Sequence, residues 1–296
     1  MFLQRLPSEG RWTFFRRRVI ETPILKYVTK QDYETINYGE EDWDNLIILD
    51  ACRHDLMEVE NPFDTEVKAV NSNAPNTVDF LKKNFAGENP DTVYVTASPQ
   101  VTRFGGEFAH MEHVWQDHWD DEHKTVFPED VTDAALRINE EYPDKKLIVH
   151  YMQPHYPFIN SEIDQGSFSG EMGGVEKLSI WEQLYAGKVD KQQVKEEYRE
   201  NLRIVLPEVK RLVEHLKGKT VITSDHGNLF GKKVSFLPFK VYGHPPGIKD
   251  EELTRVPWIE LGFDERKKIS KSDEVGDEEN LEEEEIKQKL ADLGYK

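Results

Sequence analysis

The stretch NLIILDACR, residues 45–53, decides the fold, because a short apolar run there ends in a carboxylate. Apolar runs of this length are typical of strands that are buried on both faces of a parallel sheet. A charge directly after such a strand lies at the rim of a hydrophobic core, where it needs a cation or a hydrogen-bond donor. Asp50 therefore predicts a functional group at the carboxyl end of a central strand.

Three further runs resemble the first, at residues 92–96, 146–150 and 220–223, and helical patterns lie between them. The longest helical pattern extends from about 194 to 217 and contains Pro207, which should bend or divide the helix. Strands that alternate with helices predict an α/β fold with a largely parallel central sheet and helices on both faces. Ligands bind at the carboxyl ends of the strands in such sheets, so a site is expected there.

One main domain is predicted over residues 45–263, with a helical extension at 1–44 and an acidic linker and C-terminal helix at 264–296. The Gly-, Ser- and acid-rich stretch 160–187 predicts a long loop that borders the site. After the main domain, a charged and mobile linker should precede a short docking helix from about 281 to 293.

Acidic residues outnumber basic ones by 57 to 38, which gives a net charge of -19. This charge disfavours nucleic acid as a partner, because such binding rests on neutralising phosphates. It also suits solubility at high salt, which is consistent with a salt-adapted, halophilic host. Cys52 is the only cysteine, so no internal disulfide can form. No run approaches the ~18 apolar residues of a membrane span, and the sequence predicts a cytoplasmic protein without a transmembrane segment.

A basic cluster, Arg16 to Arg18, lies in an N-terminal helix that is predicted from about Trp12 to Val28. The cluster is interpreted as a solvated helix face. Contact with an anionic membrane surface or a polyanionic partner is the alternative.

Asp225 and His226 follow the fourth apolar run and precede Gly227, where the backbone can turn sharply. A carboxylate beside an imidazole is a good ligand pair for Mn²⁺ or Zn²⁺. The alternative is a loop aspartate that caps a helix beside a hydrogen-bonded histidine. Arg53, close after the first run, is a candidate to bind an anionic oxygen or to form an ion pair with Asp55.

Two more histidines are framed by prolines that stiffen the backbone. His155 lies between Pro154 and Pro157, and His244 precedes two prolines. Either histidine can serve as a catalytic group or as a structural hydrogen-bonding group. His150, at the end of the third run, is a further candidate at the same edge of the sheet.

The order of these segments resembles the alkaline phosphatase superfamily, and within it the sulfatase-like and phosphoglycerol-transferase-like branch. The resemblance covers roughly residues 45–261 and depends most on Asp50, the Pro154-His155 turn and the stretch TSDHG at 223–227. It implies an alkaline phosphatase-like three-layer sandwich and a metal-dependent hydrolase or transferase that acts on phosphate or sulfate esters.

The resemblance also implies a nucleophile at the start of a helix, where backbone amides help to receive an anionic group. Thr77, before the helical pattern that ends at Phe85, is the first candidate, and Ser72 is the second. Thr77 is expected at the N-cap position, so a capping role without chemistry is the alternative.

Three positions depart from the pattern of related families. Cys52 is followed by Arg53 rather than by the Cys-x-Pro-Ser-Arg motif of formylglycine sulfatases, which argues against a conventional sulfatase. Ala51 replaces a second aspartate, and Tyr151 replaces the aspartate of two-zinc phosphatases. The resemblance therefore favours one divalent metal ion, Mn or Zn with Ca or Mg as alternatives, and leaves a second metal open.

The implied site consists of metal ligands, catalytic groups and substrate-binding groups. The metal would be bound by Asp50, Asp225 and His226 beside Thr77, with His155 and His244 facing the substrate oxyanion and Arg53 and His150 binding substrate. The expected substrate is an anionic ester, either a small molecule or part of a glycan or lipid. The alternative is a catalytically inactive member that binds an anionic glycan or lipid headgroup in surface-polymer metabolism. The sequence does not fix the oligomeric state.

Overall fold

The structure, a computed structural model, describes residues 15–29, 33–165, 178–276 and 283–292. Three predicted features fall partly outside these residues. They are the start of the N-terminal helix at Trp12, the middle of the 160–187 loop and the end of the C-terminal helix at Leu293.

Eleven strands lie within the described residues: β1 (Asn45–Leu49), β2 (Lys68–Asn71), β3 (Glu88–Thr96), β4 (Glu107–His113), β5 (Trp119–Asp120), β6 (Thr125–Val126), β7 (Lys146–Tyr151), β8 (Thr220–Thr223), β9 (Leu229–Lys232), β10 (Val241–Gly243) and β11 (Arg255–Glu260). A π-helical segment, Phe15–Glu21, runs into α1 (Thr22–Val28). The later helices are α2 (His54–Glu60), α3 (Thr77–Asn84), α4 (Pro99–Phe104), α5 (Val114–His118), α6 (Pro128–Glu141), α7 (Ile180–Tyr185), α8 (Lys191–Val213), α9 (Glu251–Thr254) and α10 (Glu283–Asp292).

Seven strands form the central sheet, in the order β2-β11-β8-β1-β7-β3-β4. From β8 to β4 all neighbours are parallel, whereas β11 is antiparallel to both β8 and β2. All four apolar runs of the sequence are strands of this sheet. The predicted α/β fold with a largely parallel sheet is therefore confirmed.

Helices cover both faces of the sheet, and β1 alternates between the two hydrophobic layers. Leu46 and Ile48 pack on one side with Phe80 of α3. Ile47 and Leu49 pack on the other side with residues of α6 and α8. Every residue of β1 is buried, and each large apolar side chain contributes about 1.5–3 kcal/mol relative to exposure. Because the whole strand is buried, Asp50, the residue that follows it, lies at the rim of the hydrophobic core.

Helix α8 continues through Pro207, so of the two predicted outcomes, a bend or a division, division does not occur. The segment after the main domain differs from the sequence expectation. The expected mobile linker is held along the sheet up to residue 276, because Arg266 forms an ion pair with Asp44 and the backbone N–H of Gly276 donates to the carbonyl of Phe108. Helix α10 then buries two apolar side chains in the core. None of the described helices combines the length and apolarity that crossing a membrane requires.

The cap of α3 also differs from the prediction. Asn76, not Thr77, is the N-cap: its backbone is extended, and its side-chain oxygen accepts a hydrogen bond of 2.9 Å from the backbone N–H of Asp79. Thr77 is the first residue of the helix, so its hydroxyl is not used for capping.

We expect the Asn76→Ala variant to lower the free energy of unfolding by about 1 kcal/mol, because an orphan N–H of the helix loses its acceptor. Denaturant unfolding followed by circular dichroism measures this difference. Glu58→Ala, which changes an exposed side chain of α2, is the control and should leave stability nearly unchanged. Equal stabilities of the two variants would contradict the assignment of the cap.

Candidate metal centre

Parallel pairing brings the two sequence-predicted halves of the site together. Strands β1 and β8 are neighbours, with Ile48 opposite Thr223. Asp50 directly follows β1, and Asp225 and His226 come two and three residues after Thr223. Because parallel strands end at the same edge of the sheet, all three side chains meet there.

The three side chains form a compact and fully enclosed group. His226 Nε2 lies 3.4 Å from Asp225 Oδ2 and 3.7 Å from Asp50 Oδ1. One ligand atom from each residue lies within 4.8 Å of the others. Asp50 is 3% exposed, and Asp225 and His226 are 0% exposed. Two carboxylates and an imidazole at this separation are a suitable donor set for a divalent cation.

Each of the two carboxylates has one oxygen that is available to a cation. Asp225 Oδ1 accepts from the backbone N–H groups of Ala51, at 2.9 Å, and His226, at 2.8 Å. Asp225 Oδ2 and Asp50 Oδ1 are buried and have no hydrogen-bond partner among the described residues. A buried carboxylate oxygen without a donor is costly. A cation between these two oxygens and the imidazole would remove that cost.

The tautomer of His226 is fixed by the backbone. Its Nδ1 lies 2.8 Å from the carbonyl oxygen of Gly227, to which it can only donate. The neutral form of His226 therefore carries its proton on Nδ1 and leaves the lone pair of Nε2 available to the site, where Thr77 and the two carboxylates lie. This is the tautomer that a metal ligand needs.

The two carboxyl groups titrate in opposite directions. Burial and the neighbouring charge of Asp225 raise the pKa of Asp50 well above its usual value. Burial by itself would raise the pKa of Asp225. The charges that His226 and His150 carry when protonated, together with the hydrogen bond from the backbone N–H of Ala51, lower it by a larger amount, so the pKa of Asp225 lies below its usual value. The protein alone thus does not support two ionised carboxylates here, and a cation would.

Thr77 lies beside the three candidate ligands. Its Oγ1 is 3.2 Å from His226 Nε2, and the residue is 1% exposed. Ser72, the second candidate nucleophile, is also buried but donates to the backbone carbonyl of Asp225 at 2.6 Å and accepts from the N–H of Ala74. The hydroxyl of Ser72 thus holds the loop, whereas that of Thr77 faces the site.

The other predicted histidines lie around the group. His155 Nε2 is 2.9 Å from His244 Nε2, and the ring of His244 lies 4.4 Å, centroid to centroid, from that of His226. Burial lowers the pKa of His155 to about 4 and that of His244 well below its usual value. Both imidazoles are therefore neutral at neutral pH, and can donate or accept a hydrogen bond without carrying charge.

His150 is completely buried behind the group, and burial lowers its pKa to about 4. Its Nδ1 bonds to the hydroxyl of Tyr94 at 2.9 Å. Arg53 points elsewhere: its guanidinium donates to Asp55, to Glu252 and to the carbonyl of Asn228. The structure thus places Arg53 in the ion pair that the sequence analysis gave as its alternative.

Residues that sequence reasoning missed hold the two loops in register. Ser224 Oγ accepts from the N–H of Cys52 at 2.8 Å and donates to the carbonyl of His226 at 2.7 Å. Tyr38 donates to the carbonyl of Ser224, and Tyr198 donates to that of Ala51. Ser224 is inside a recognisable motif, but Tyr38 and Tyr198 have no local signal, because their contacts join segments more than 140 residues apart.

No protein-family model matches the sequence, and a search of curated proteins gives no significant match. Solved structures do resemble the chain. The C-terminal periplasmic domain of EcEptC from Escherichia coli, in complex with Zn, is 15% identical, with a TM-score of 0.45 over 76% of this chain and 74% of that chain. Lipooligosaccharide phosphoethanolamine transferase A from Neisseria meningitidis, an integral membrane protein, is 11% identical, with a TM-score of 0.48 over 88% of this chain and 58% of that chain. A protein in the alkaline phosphatase superfamily from Vibrio parahaemolyticus is 12% identical, with a TM-score of 0.37 over 90% and 70% of the two chains.

Metal content tests the centre directly. We expect the purified chain to retain stoichiometric Mn²⁺ or Zn²⁺ after gel filtration, and the Asp50→Asn and Asp225→Asn variants to lose it, because each amide removes one anionic ligand. Elemental analysis by mass spectrometry gives the metal content, and thermal unfolding with and without metal gives its effect on stability.

Asp55→Asn is the matched control, because Asp55 lies near Asp50 in sequence but pairs with Arg53. It should keep the metal. Asp50→Asn should unfold without metal at a temperature no lower than the unmodified chain, since the amide removes repulsion with Asp225. Full metal retention by both amide variants would exclude this centre.

Proposed function

We propose that this chain is a metal-dependent hydrolase or transferase of the alkaline phosphatase superfamily that acts on phosphate or sulfate esters, with Thr77 as the nucleophile. One observation carries the proposal. Two buried carboxylate oxygens without partners, the lone pair of His226 and a hydroxyl that no cap requires all face one point at the carboxyl edge of a parallel sheet.

Asp50, Asp225 and His226 would bind the metal, with the Thr77 hydroxyl beside them. A divalent cation bound there would offset negative charge in the transition state and favour the alkoxide form of Thr77. The donor set of one imidazole and two carboxylates suits Mn²⁺ and Zn²⁺ better than it suits Ca²⁺ and Mg²⁺.

The chemistry proposed for Thr77 proceeds in two balanced steps. Its Oγ1 attacks phosphorus or sulfur and the ester oxygen leaves as an alcohol, which takes up the proton that Thr77 loses. Water or an acceptor alcohol then attacks the covalent intermediate and restores the Thr77 hydroxyl. The position of Thr77 at the start of α3 lets backbone N–H groups and the helix dipole act on the transferred anionic group.

The neutral histidines fit supporting roles. His155 donates through Nδ1 to the carbonyl of Tyr156, so its Nε2 accepts the hydrogen bond that His244 Nε2 donates across 2.9 Å. A substrate oxygen that took the place of His155 could accept this hydrogen bond from His244. His150 offers a buried Nε2 that has no protein partner among the described residues. We propose that Arg53 is a positioning residue, which holds the loop after Asp50 in place through its ion pairs with Asp55 and Glu252. The substrate itself is proposed to be an anionic ester of a small molecule, a glycan or a lipid.

Substitution of Thr77 tests the nucleophile. With added Mn²⁺ or Zn²⁺, Thr77→Ala should lower turnover of aryl phosphodiester, phosphomonoester or sulfate ester by roughly three orders of magnitude, because the attacking oxygen is gone. Thr77→Ser should retain part of the activity. Mass spectrometry of the wild-type chain, quenched during turnover, should find the transferred group on the peptide that contains Thr77.

Ser72→Ala separates the two hydroxyl candidates. It should lower stability, because the bond to the Asp225 carbonyl is lost, but should leave turnover per folded molecule near the wild-type value. A loss of turnover in Ser72→Ala with full activity in Thr77→Ala would reverse the assignment. A chain that binds metal stoichiometrically and turns over none of these esters would instead support the inactive, headgroup-binding alternative.

A further inference from the structure

The N-terminal helical segment, residues 15–28, exposes apolar side chains on its outer face. Glu21 and Leu25 face the body of the protein and are buried. On the outer face, the exposed fractions of the large apolar side chains are high: Val19 49%, Ile20 38%, Ile24 41% and Tyr27 91%. An outward apolar stripe is the reverse of the pattern expected for a helix that faces water.

This segment is anchored to the protein and is not a free tail. Leu25 packs in a small core with residues of β9 and β10. Glu21 accepts from Arg16 at 2.7 Å and from the hydroxyl of Tyr185 at 2.9 Å. Arg17 donates to the carbonyl of Tyr242, two residues before His244. The segment is therefore held in a fixed orientation against the strand that precedes His244.

A second segment extends the same surface. The loop at residues 233–240 packs Val234, Leu237 and Phe239 against the small core that contains Leu25. Phe236 projects from this loop with 89% of its surface exposed. Among the described residues, seven large apolar side chains are exposed, and five of them belong to these two neighbouring segments. Within the described residues, the apolar exposure is thus concentrated in two segments that pack on one small core.

The charges around these side chains are basic. Lys26, Lys233 and Lys240 are exposed, Arg16 is exposed but paired with the buried Glu21, and residues 22–29 and 233–243 contain no Asp or Glu. The whole chain carries a net charge of -19, so an interval without acidic residues is a local exception. At physiological ionic strength, charges more than about 8 Å away are largely screened. A partner that touches this surface would therefore experience its positive charge more strongly than the acidity of the rest of the chain.

We propose that this basic apolar surface, formed by Val19, Ile20, Ile24, Tyr27 and Phe236 with Arg16, Lys26, Lys233 and Lys240, docks on an anionic lipid bilayer. A helix that lies flat with its apolar face outward and basic groups around it is the arrangement of interfacial membrane binding. Tyr27 and Phe236 project as anchors for the headgroup boundary, and lysines contribute attraction to anionic lipid. Binding of this surface to lipid is independent of the proposed function.

Vesicle co-sedimentation tests the proposal with the full chain, in the presence of a metal chelator so that turnover plays no part. We expect stronger binding, by about tenfold or more, to vesicles of phosphatidylcholine with phosphatidylglycerol than to phosphatidylcholine alone, and weaker binding at high salt. The triple variant Ile24→Ser, Tyr27→Ser and Phe236→Ser should lose about tenfold in binding. Lys26→Glu with Lys233→Glu should abolish the preference for anionic vesicles.

Val59→Ser with Phe263→Ser is the matched control, because these exposed apolar side chains lie outside the surface. It should bind as the wild-type chain does, and thermal unfolding should show that all variants are folded. Equal binding to both vesicle types, no binding, or an equal loss in the control would overturn the proposal. So would light scattering that shows a wild-type dimer and a monomeric triple variant without vesicle binding, because the surface would then be a self-contact.

Discussion

The charge of two carboxylates at the rim of a hydrophobic core is the constraint on which the site depends. Asp50 and Asp225 end adjacent parallel strands whose residues are buried on both faces. The sheet therefore brings two negative groups together at a place where water does not solvate them. Backbone donors satisfy part of Asp225, and one oxygen of each carboxylate is left for a cation.

The backbone next to these two carboxylates adopts a conformation that holds them in position. Ala51 adopts a left-handed conformation, with φ of 62°, which costs a non-glycine residue about 1 kcal/mol or more. In that conformation its N–H reaches Asp225, while its carbonyl accepts from Tyr198. Ser224 and Tyr38 hold the opposite loop in the same way. The candidate ligands are thus positioned by hydrogen bonds that hold the loops around them, as a preorganised site requires.

The sequence predicts the central strands and the meeting of Asp50, Asp225 and His226 at one edge of the sheet, because both follow from short-range patterns. Buried parallel strands are continuous apolar runs, and the residues just after them must lie at one edge. The antiparallel strands β2 and β11 are not among the predicted strands. Strand β2 is half exposed and lacks an apolar run, and the buried run of β11 contains Pro257, which argues against an interior strand. Asn76 and Thr77 are both good capping residues, so only the backbone conformation could decide between them. Contacts of Tyr38 and Tyr198 depend on tertiary packing and leave no local pattern.

The electrostatics of the site would make the binding of a cation and the binding of an anionic ester interdependent. Burial keeps His150, His155 and His244 neutral, so they add no positive charge. The guanidinium of Arg53 is neutralised by Asp55 and Glu252. An anionic ester that entered the site would therefore meet Asp225 without a compensating charge among these side chains. We infer that the same cation would relieve the repulsion between Asp50 and Asp225 and would also attract the substrate, so that metal binding and substrate binding are coupled.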